Sequence, residues 1–199
     1  MVAIAFLALW LGLALAAGLL LPRWWFKAIG VLLVLLIPAA DHLSGLYYHT
    51  KLCEKKGGLK VYKTERGVRG IRDYDGLDER YLKDLGFEFV EARQLGVDSR
   101  LMRQGSSFIR ERNVTPQAKY EVQFRHSRSS MFGYDRLSVE EISSHEVLGE
   151  YTQVIFFGGW AVRALSAFSD AGGPPTIAVC HLPPIWQHKM DLVKAVFVR

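Results

Sequence analysis

"VLLVLLIPAADHLSGLYYHTKLCEKK", from Val31 to Lys56, decides how this chain is read. It opens on aliphatic residues and closes on lysines, with the titratable pair Asp41–His42 in between. Upstream, neither Met1–Leu21 nor Ala28–Ala40 contains a charged side chain. A membrane-crossing helix needs about 20 apolar residues. Val2–Leu21 meets that length alone. The second segment reaches it by borrowing Trp24–Lys27 and Leu43–Tyr48. The expected architecture is an N-terminal transmembrane helical hairpin, with helices near 2–21 and 26–46 inside residues 1–48. A soluble α+β domain with a mainly antiparallel sheet follows over 49–199.

Pro22 stops the first helix, because it lacks an N–H and cannot continue the ladder. Arg23, Trp24, Trp25 and Lys27 at one end, and Tyr47 and Tyr48 at the other, suit the headgroup layer as interface anchors. A cleaved signal peptide fits less well. Ala14-Leu15-Ala16 resembles a cleavage site, but no basic n-region precedes it and the apolar run is too long.

Two arguments oppose each other over the side of the membrane. Arg23 and Lys27 hold the hairpin turn inside by the positive-inside rule. Lys51, Lys55, Lys56, Lys60, Lys63 and Arg66 would instead keep the following domain inside. Long domains translocate largely regardless of charge, which favours the outside reading, with the cytoplasmic one as its alternative. Lys51, Lys55, Lys56 and Lys60 are also candidate contacts for anionic lipid headgroups. The chain has two cysteines, Cys53 and Cys180. In an oxidising compartment they could close a long loop, stabilising the fold by about 4–5 kcal/mol. The alternative is two unrelated buried thiols.

In the soluble domain, Leu77, Tyr81 and Leu85 share one face of a helix expected over Leu77–Leu85. Acids crowd its start and Gly86 follows its end. Strands are expected at Phe87–Glu91, at Leu101–Gln104 and Phe108–Arg112 around Gly105-Ser106-Ser107, and at Tyr120–Arg125, where apolar and polar residues alternate. Leu137–Ile142 and Val147–Phe157 read as another hairpin turning at Ser143–Glu146. Gly158-Gly159 breaks the strand, Trp160–Phe168 reads as a short helix and Asp170–Pro175 as a loop. The tail from Thr176 carries short apolar runs split by Pro183-Pro184.

Chemistry-bearing motifs are sparse. Asp73-Tyr74-Asp75-Gly76-Leu77-Asp78 fails the calcium-loop register, which wants Gly at the sixth position and Glu at the twelfth. His49, His126, His145, His181 and His188 lack paired zinc spacing, and Cys180-His181 are adjacent. Ser143-Ser144-His145-Glu146 sits in a turn, where such residues serve the backbone. No catalytic, cofactor or metal residue is assigned, no cofactor is expected, and nucleic acid is not an expected partner despite the net charge of +5. Asp41 and His42 have three readings: the headgroup layer, hydrogen bonding to a partner helix, or a proton or redox role.

Leu52-Cys53-Glu54-Lys55-Lys56-Gly57-Gly58-Leu59-Lys60-Val61-Tyr62-Lys63-Thr64 resembles a segment in a group of uncharacterised proteobacterial membrane proteins. There, two helices precede a similar Cys/Gly-Gly/Val-Tyr run. Leu85–Glu91 and Phe157-Gly158-Gly159-Trp160 are similar to the same group. The resemblance implies a bacterial inner membrane and no activity. The expectation is a two-pass inner-membrane protein with its domain in the periplasm. It would be a non-catalytic accessory or scaffold subunit whose partners are membrane lipid and other integral membrane subunits. The alternative is a membrane-tethered sensor or a lipid- or small-ligand-binding module.

Overall fold

The computed structural model describes residues 2–20, 23–94, 96–166, 176–180 and 185–198. Two helices lead, α1 (Val2–Leu20) and α2 (Trp24–Lys56). Strands β1 (Gly58–Val61), β2 (Glu65–Arg66) and β3 (Gly70–Asp73) precede a one-turn helix, α3 (Arg80–Lys83). Six strands follow: β4 (Phe89–Gln94), β5 (Val97–Gln104), β6 (Ser107–Arg112), β7 (Tyr120–Arg128), β8 (Phe132–Glu141) and β9 (Val147–Phe156). The chain continues through α4 (Trp160–Ser166), β10 (Ala178–Val179), a 3-10 turn over Ile185–His188, α5 (Lys189–Val196) and β11 (Phe197–Val198).

The expected transmembrane hairpin needs correction. Among the described residues, no helix is long and apolar enough to cross a membrane. The two-pass inner-membrane location, with a periplasmic or cytoplasmic domain, loses its support with it. The second helix, expected over 26–46, runs on as α2 to Lys56. Its C-terminal half carries Asp41, His42, His49, Lys51, Glu54, Lys55 and Lys56, and residues of that half pack on strands. What dominates after these two helices is a large mixed sheet, in the order β1-β9-β8-β7-β3-β4-β5-β6, with β10 also on β9.

The sheet is mainly antiparallel, as expected, but mixed, because β3 pairs in parallel with both β4 and β7. The pairs β1–β9, β10–β9, β4–β5 and β5–β6 are antiparallel. Parallel neighbours need long crossovers, and β3 gets one from α3 and another from the β4–β6 meander.

The chain divides into two compact units. Met1–Lys56, Ser127–Gly133 and Val154–Cys180 form the first; Gly57–His126, Tyr134–Gln153 and His181–Arg199 form the second. The second holds the main apolar cluster, including Ile71, Tyr81, Leu82, Val90, Val122, Leu137, Val139 and Leu148. Helix α5 closes this cluster with Met190, Val193 and Val196, three apart, and with Leu192, four before Val196. Glycine permits the approach: a Cβ at Gly149 would lie 2.6 Å from Val196 Cγ2. A buried ion pair, Glu91–Arg100, closes at 2.6 Å, and Glu91 also accepts from the backbone N–H groups of Gln117 and Ala118. These bonds offset the cost of burying the carboxylate.

Candidate functional site

Asp41, Gly45, His49 and Cys53 recur every four residues of α2 and so share one face. All four meet other residues of the first unit. Asp41 Oδ2 accepts the backbone N–H of Trp160, the first residue of α4, at 2.8 Å. This is an N-terminal cap supplied from outside the helix, and the carboxylate also meets the positive end of the helix dipole. The Gly159 N–H points at His42 Nδ1, 3.5 Å away. A Cβ on Gly159 would meet Asp41 Oδ2 at 2.5 Å, so the cap requires glycine there. One turn on, a Cβ at Gly45 would lie 2.6 Å from the Phe156 ring. The bare backbone lets α2 approach β9, where Phe156 is fully buried.

His49 and Cys53 complete the stripe. Cys53 is bonded to Cys180, just past β10, with a Cα–Cα distance of 5.7 Å. The His49 ring lies against the bridge, with Nε2 3.5 Å from Cys53 Sγ and 3.6 Å from Cys180 Sγ. Nε2 also lies 3.1 Å from the carbonyl oxygen of Val154. That oxygen accepts the Cys180 N–H as well, at 3.0 Å. His49 and Cys180 are buried, and Cys53 is half-buried. Among the described residues, the side-chain N and S atoms of His49, Cys53 and Cys180 lie within 4.8 Å of one another.

The second unit has its own chemistry. Lys189 opens α5, and its Nζ donates to Asp73 Oδ2 at 2.8 Å and Asp75 Oδ2 at 3.4 Å. Asp73 is fully buried, and its Oδ1 accepts the Asp75 N–H. Tyr74 and Tyr81 flank the ammonium, with ring centroids at 5.9 and 5.8 Å. Burial, then the charges of Asp75 and Asp73, push the Tyr74 phenol up to about 12. Burial, then the charge of Asp73, drive Tyr81 far above the usual phenol range. Lys189 lines an open polar cleft of about 590 Å³ with Asp75, Asp78, Arg80, Gln94 and Arg110. In it Asp78 accepts the Arg80 guanidinium and the Arg80 N–H, and α3 starts at Arg80 rather than at the expected Leu77.

The remaining expected site residues are placed as follows. Arg23 precedes α2, and Trp24 and Trp25 are exposed with ring centroids 4.8 Å apart. Lys27 donates its backbone N–H to Arg23 O. Tyr47 and Tyr48 are exposed on α2, away from the Asp41–Cys53 stripe. Lys51 pairs with Glu54, Lys55 and Lys56 end α2, and Lys60 faces Glu150 across the β1–β9 ladder. Lys63 binds Glu65 and Glu146, so part of the basic strip is spoken for within the fold. His126 pairs with Asp135, and His188 stacks on Tyr151 at 4.3 Å. His145 adopts a left-handed φ of 57°, as its turn position suggests. Leu21, Pro22, His181, Pro183, Pro184 and the Asp170–Pro175 loop lie outside the described residues.

The sequence reading missed His49 as a partner of Cys53, and it missed Lys189 altogether. The four-residue recurrence from Asp41 to Cys53 was a readable signal for the first. For Lys189 there was none, since Asp73 is far away in sequence.

No family model, curated protein or solved structure matches this chain. Geometry and chemistry alone therefore carry the functional reading.

Proposed function

We propose that this chain is a non-catalytic accessory subunit that docks onto the apolar surface of a partner protein through α1 and the first half of α2. One observation carries the reading. Leu9, Leu11, Leu13, Leu15 and Leu19 on α1, and Trp24, Trp25, Ile29, Leu32, Leu36 and Ile37 on α2, are each at least half exposed. Monomeric proteins leave large apolar side chains exposed singly; a run of them along two helices marks an interaction surface. The absence of charge from Ala28 to Ala40 requires an apolar partner surface, because an unpaired charge facing it would be costly to bury. The Asp41 cap and the Cys53–Cys180 bond hold the far half of α2 to its own unit.

The test is isolation of the full chain under gentle conditions, alongside a Leu11→Asp/Leu15→Asp variant. The expected result is a stoichiometric complex with one partner protein, released in the variant while helix content and the disulfide persist. A lone monomer, or association with protein-free phospholipid vesicles that the variant abolishes, would overturn the reading.

The Lys189 cleft favours a second reading, a module for a small polar ligand. Lys189, Arg80 and Arg110 offer cationic donors, and Asp75 and Asp78 offer acceptors. A zwitterionic small molecule that raises the melting temperature, and fails to do so in Arg110→Ala, is the outcome this reading expects.

A further inference from the structure

We propose that reduction of Cys53–Cys180 converts the cluster with His49 into a three-ligand site for a thiophilic cation such as Zn²⁺. This does not depend on the docking reading. The donor set is two sulfurs and one imidazole, which suits Zn²⁺. Tetrahedral zinc, with bonds of about 2.3 Å to sulfur and 2.0–2.1 Å to nitrogen, separates a sulfur and a nitrogen ligand by about 3.5 Å. His49 Nε2 already lies at 3.5 and 3.6 Å from the two sulfurs. Once freed, the sulfurs have only to draw apart to about 3.8 Å, the spacing of two thiolates on such an ion.

The surroundings allow this change. To ligate through Nε2, His49 carries its proton on Nδ1 and gives up the Val154 carbonyl as an acceptor. That carbonyl keeps the Cys180 N–H, so no buried acceptor is orphaned. His49 and Cys53 are four apart on a helix held at Asp41 and packed through Gly45, so their spacing survives loss of the disulfide. Cys180 follows β10, which stays paired with β9. Three protein ligands leave one position for water or another donor, as in zinc sites that exchange a ligand.

The chemistry balances. A thiol reductant gives two hydrogens to the disulfide and leaves as its own disulfide. The cation then displaces one proton from each cysteine thiol, and these go to solvent. Oxidation by a disulfide-class oxidant reverses the sequence and expels the ion, so metal binding and the Cys53–Cys180 bond exclude each other.

The full chain, reduced with a trialkylphosphine, which becomes its oxide with oxygen from water, is titrated anaerobically with Co²⁺ and then Zn²⁺. One equivalent of Co²⁺ should produce a thiolate-to-cobalt charge-transfer band and visible bands of tetrahedral cobalt, both lost on adding Zn²⁺. The oxidised chain should show neither. Cys53→Ser should lose the charge-transfer band's full intensity, and His49→Ala should bind more weakly with shifted visible bands. Should reduction unfold the chain, restoration of its circular dichroism by Zn²⁺ would support the site, and failure to restore it would count against it. A reduced, folded chain without the band, or His49→Ala with unaltered affinity and spectrum, overturns the proposal.

Discussion

Two buried constellations in this protein solve the same problem in different ways. In the first unit, Cys53, Cys180 and His49 come from segments 127 residues apart and are joined covalently. In the second, Lys189 and Asp73 also come from distant segments, and charge alone joins them. The covalent cluster answers to redox state. The ionic one answers to whichever partner is removed, because a buried charge without its counterion costs more than the pair gives back. The difference shows which site can be switched without rebuilding the fold: a bond that opens and closes reversibly serves that purpose, whereas an obligatory buried charge does not.

The largest effect is expected at the disulfide. In the Cys53→Ser/Cys180→Ser variant the loop-closure constraint is gone, and denaturant unfolding should show a loss of about 5 kcal/mol. Equal stability of variant and wild type would mean that the bridge constrains little. At Lys189, substitution by Met strands the Asp73 carboxylate and should cost about 3–5 kcal/mol in the same assay. Adding Asp73→Asn should recover most of that loss, since Asn still accepts from the Asp75 N–H. A double variant no better than the single one would contradict the ionic account.

Smaller effects sharpen the contrast. Asp41→Ala removes the cap on α4 and should cost about 0.5–2 kcal/mol, with Asp41→Asn milder because it keeps the acceptor. Thermal unfolding of the three proteins compares them directly. The ionic region should also show an alkaline signature. Below pH 10, the Tyr74 phenol is protonated in folded and unfolded chains alike. Between 10 and about 12, only the unfolded chain releases its proton, so stability falls as pH rises through that window. Tyr74→Phe should shallow that slope in unfolding measured across the alkaline range, while Cys53→Ser/Cys180→Ser, which leaves no free thiol, should leave it unchanged.

Local pattern made much of the sheet legible. Alternation located β7, and Gly105, with a φ of 62°, marked the two-residue turn joining β5 and β6. The Gly158-Gly159 break and the short helix after it also follow from local signals, since Gly158 takes a φ of 90°. The parallel pairing of β3 was not legible. Four residues beside an acidic cluster carry no mark of which strands will flank them, because pairing is decided by long-range packing. Helix α5 was obscured by its brevity and by the neighbouring prolines.

The larger misreading concerned α2. Apolar density in Val31–Ala40 points to lipid and makes Asp41–His42 look like the helix's exit from it, whereas the Asp41–Gly45–His49–Cys53 recurrence marks a packed face. Counting apolar residues registers how many there are; only their spacing identifies the face that packs. The same stripe answers why an apolar helix carries Asp41 and His42: they receive the N–H groups at the start of α4.

The most direct measurement is amide hydrogen exchange along α2, read by mass spectrometry on the intact oxidised chain. If Asp41–Cys53 belongs to the packed unit, its amides exchange as slowly as those of Val154–Phe156 and become faster in Cys53→Ser/Cys180→Ser. Rapid exchange from Asp41 onward in the oxidised chain, with the β9 amides still protected, would contradict the account.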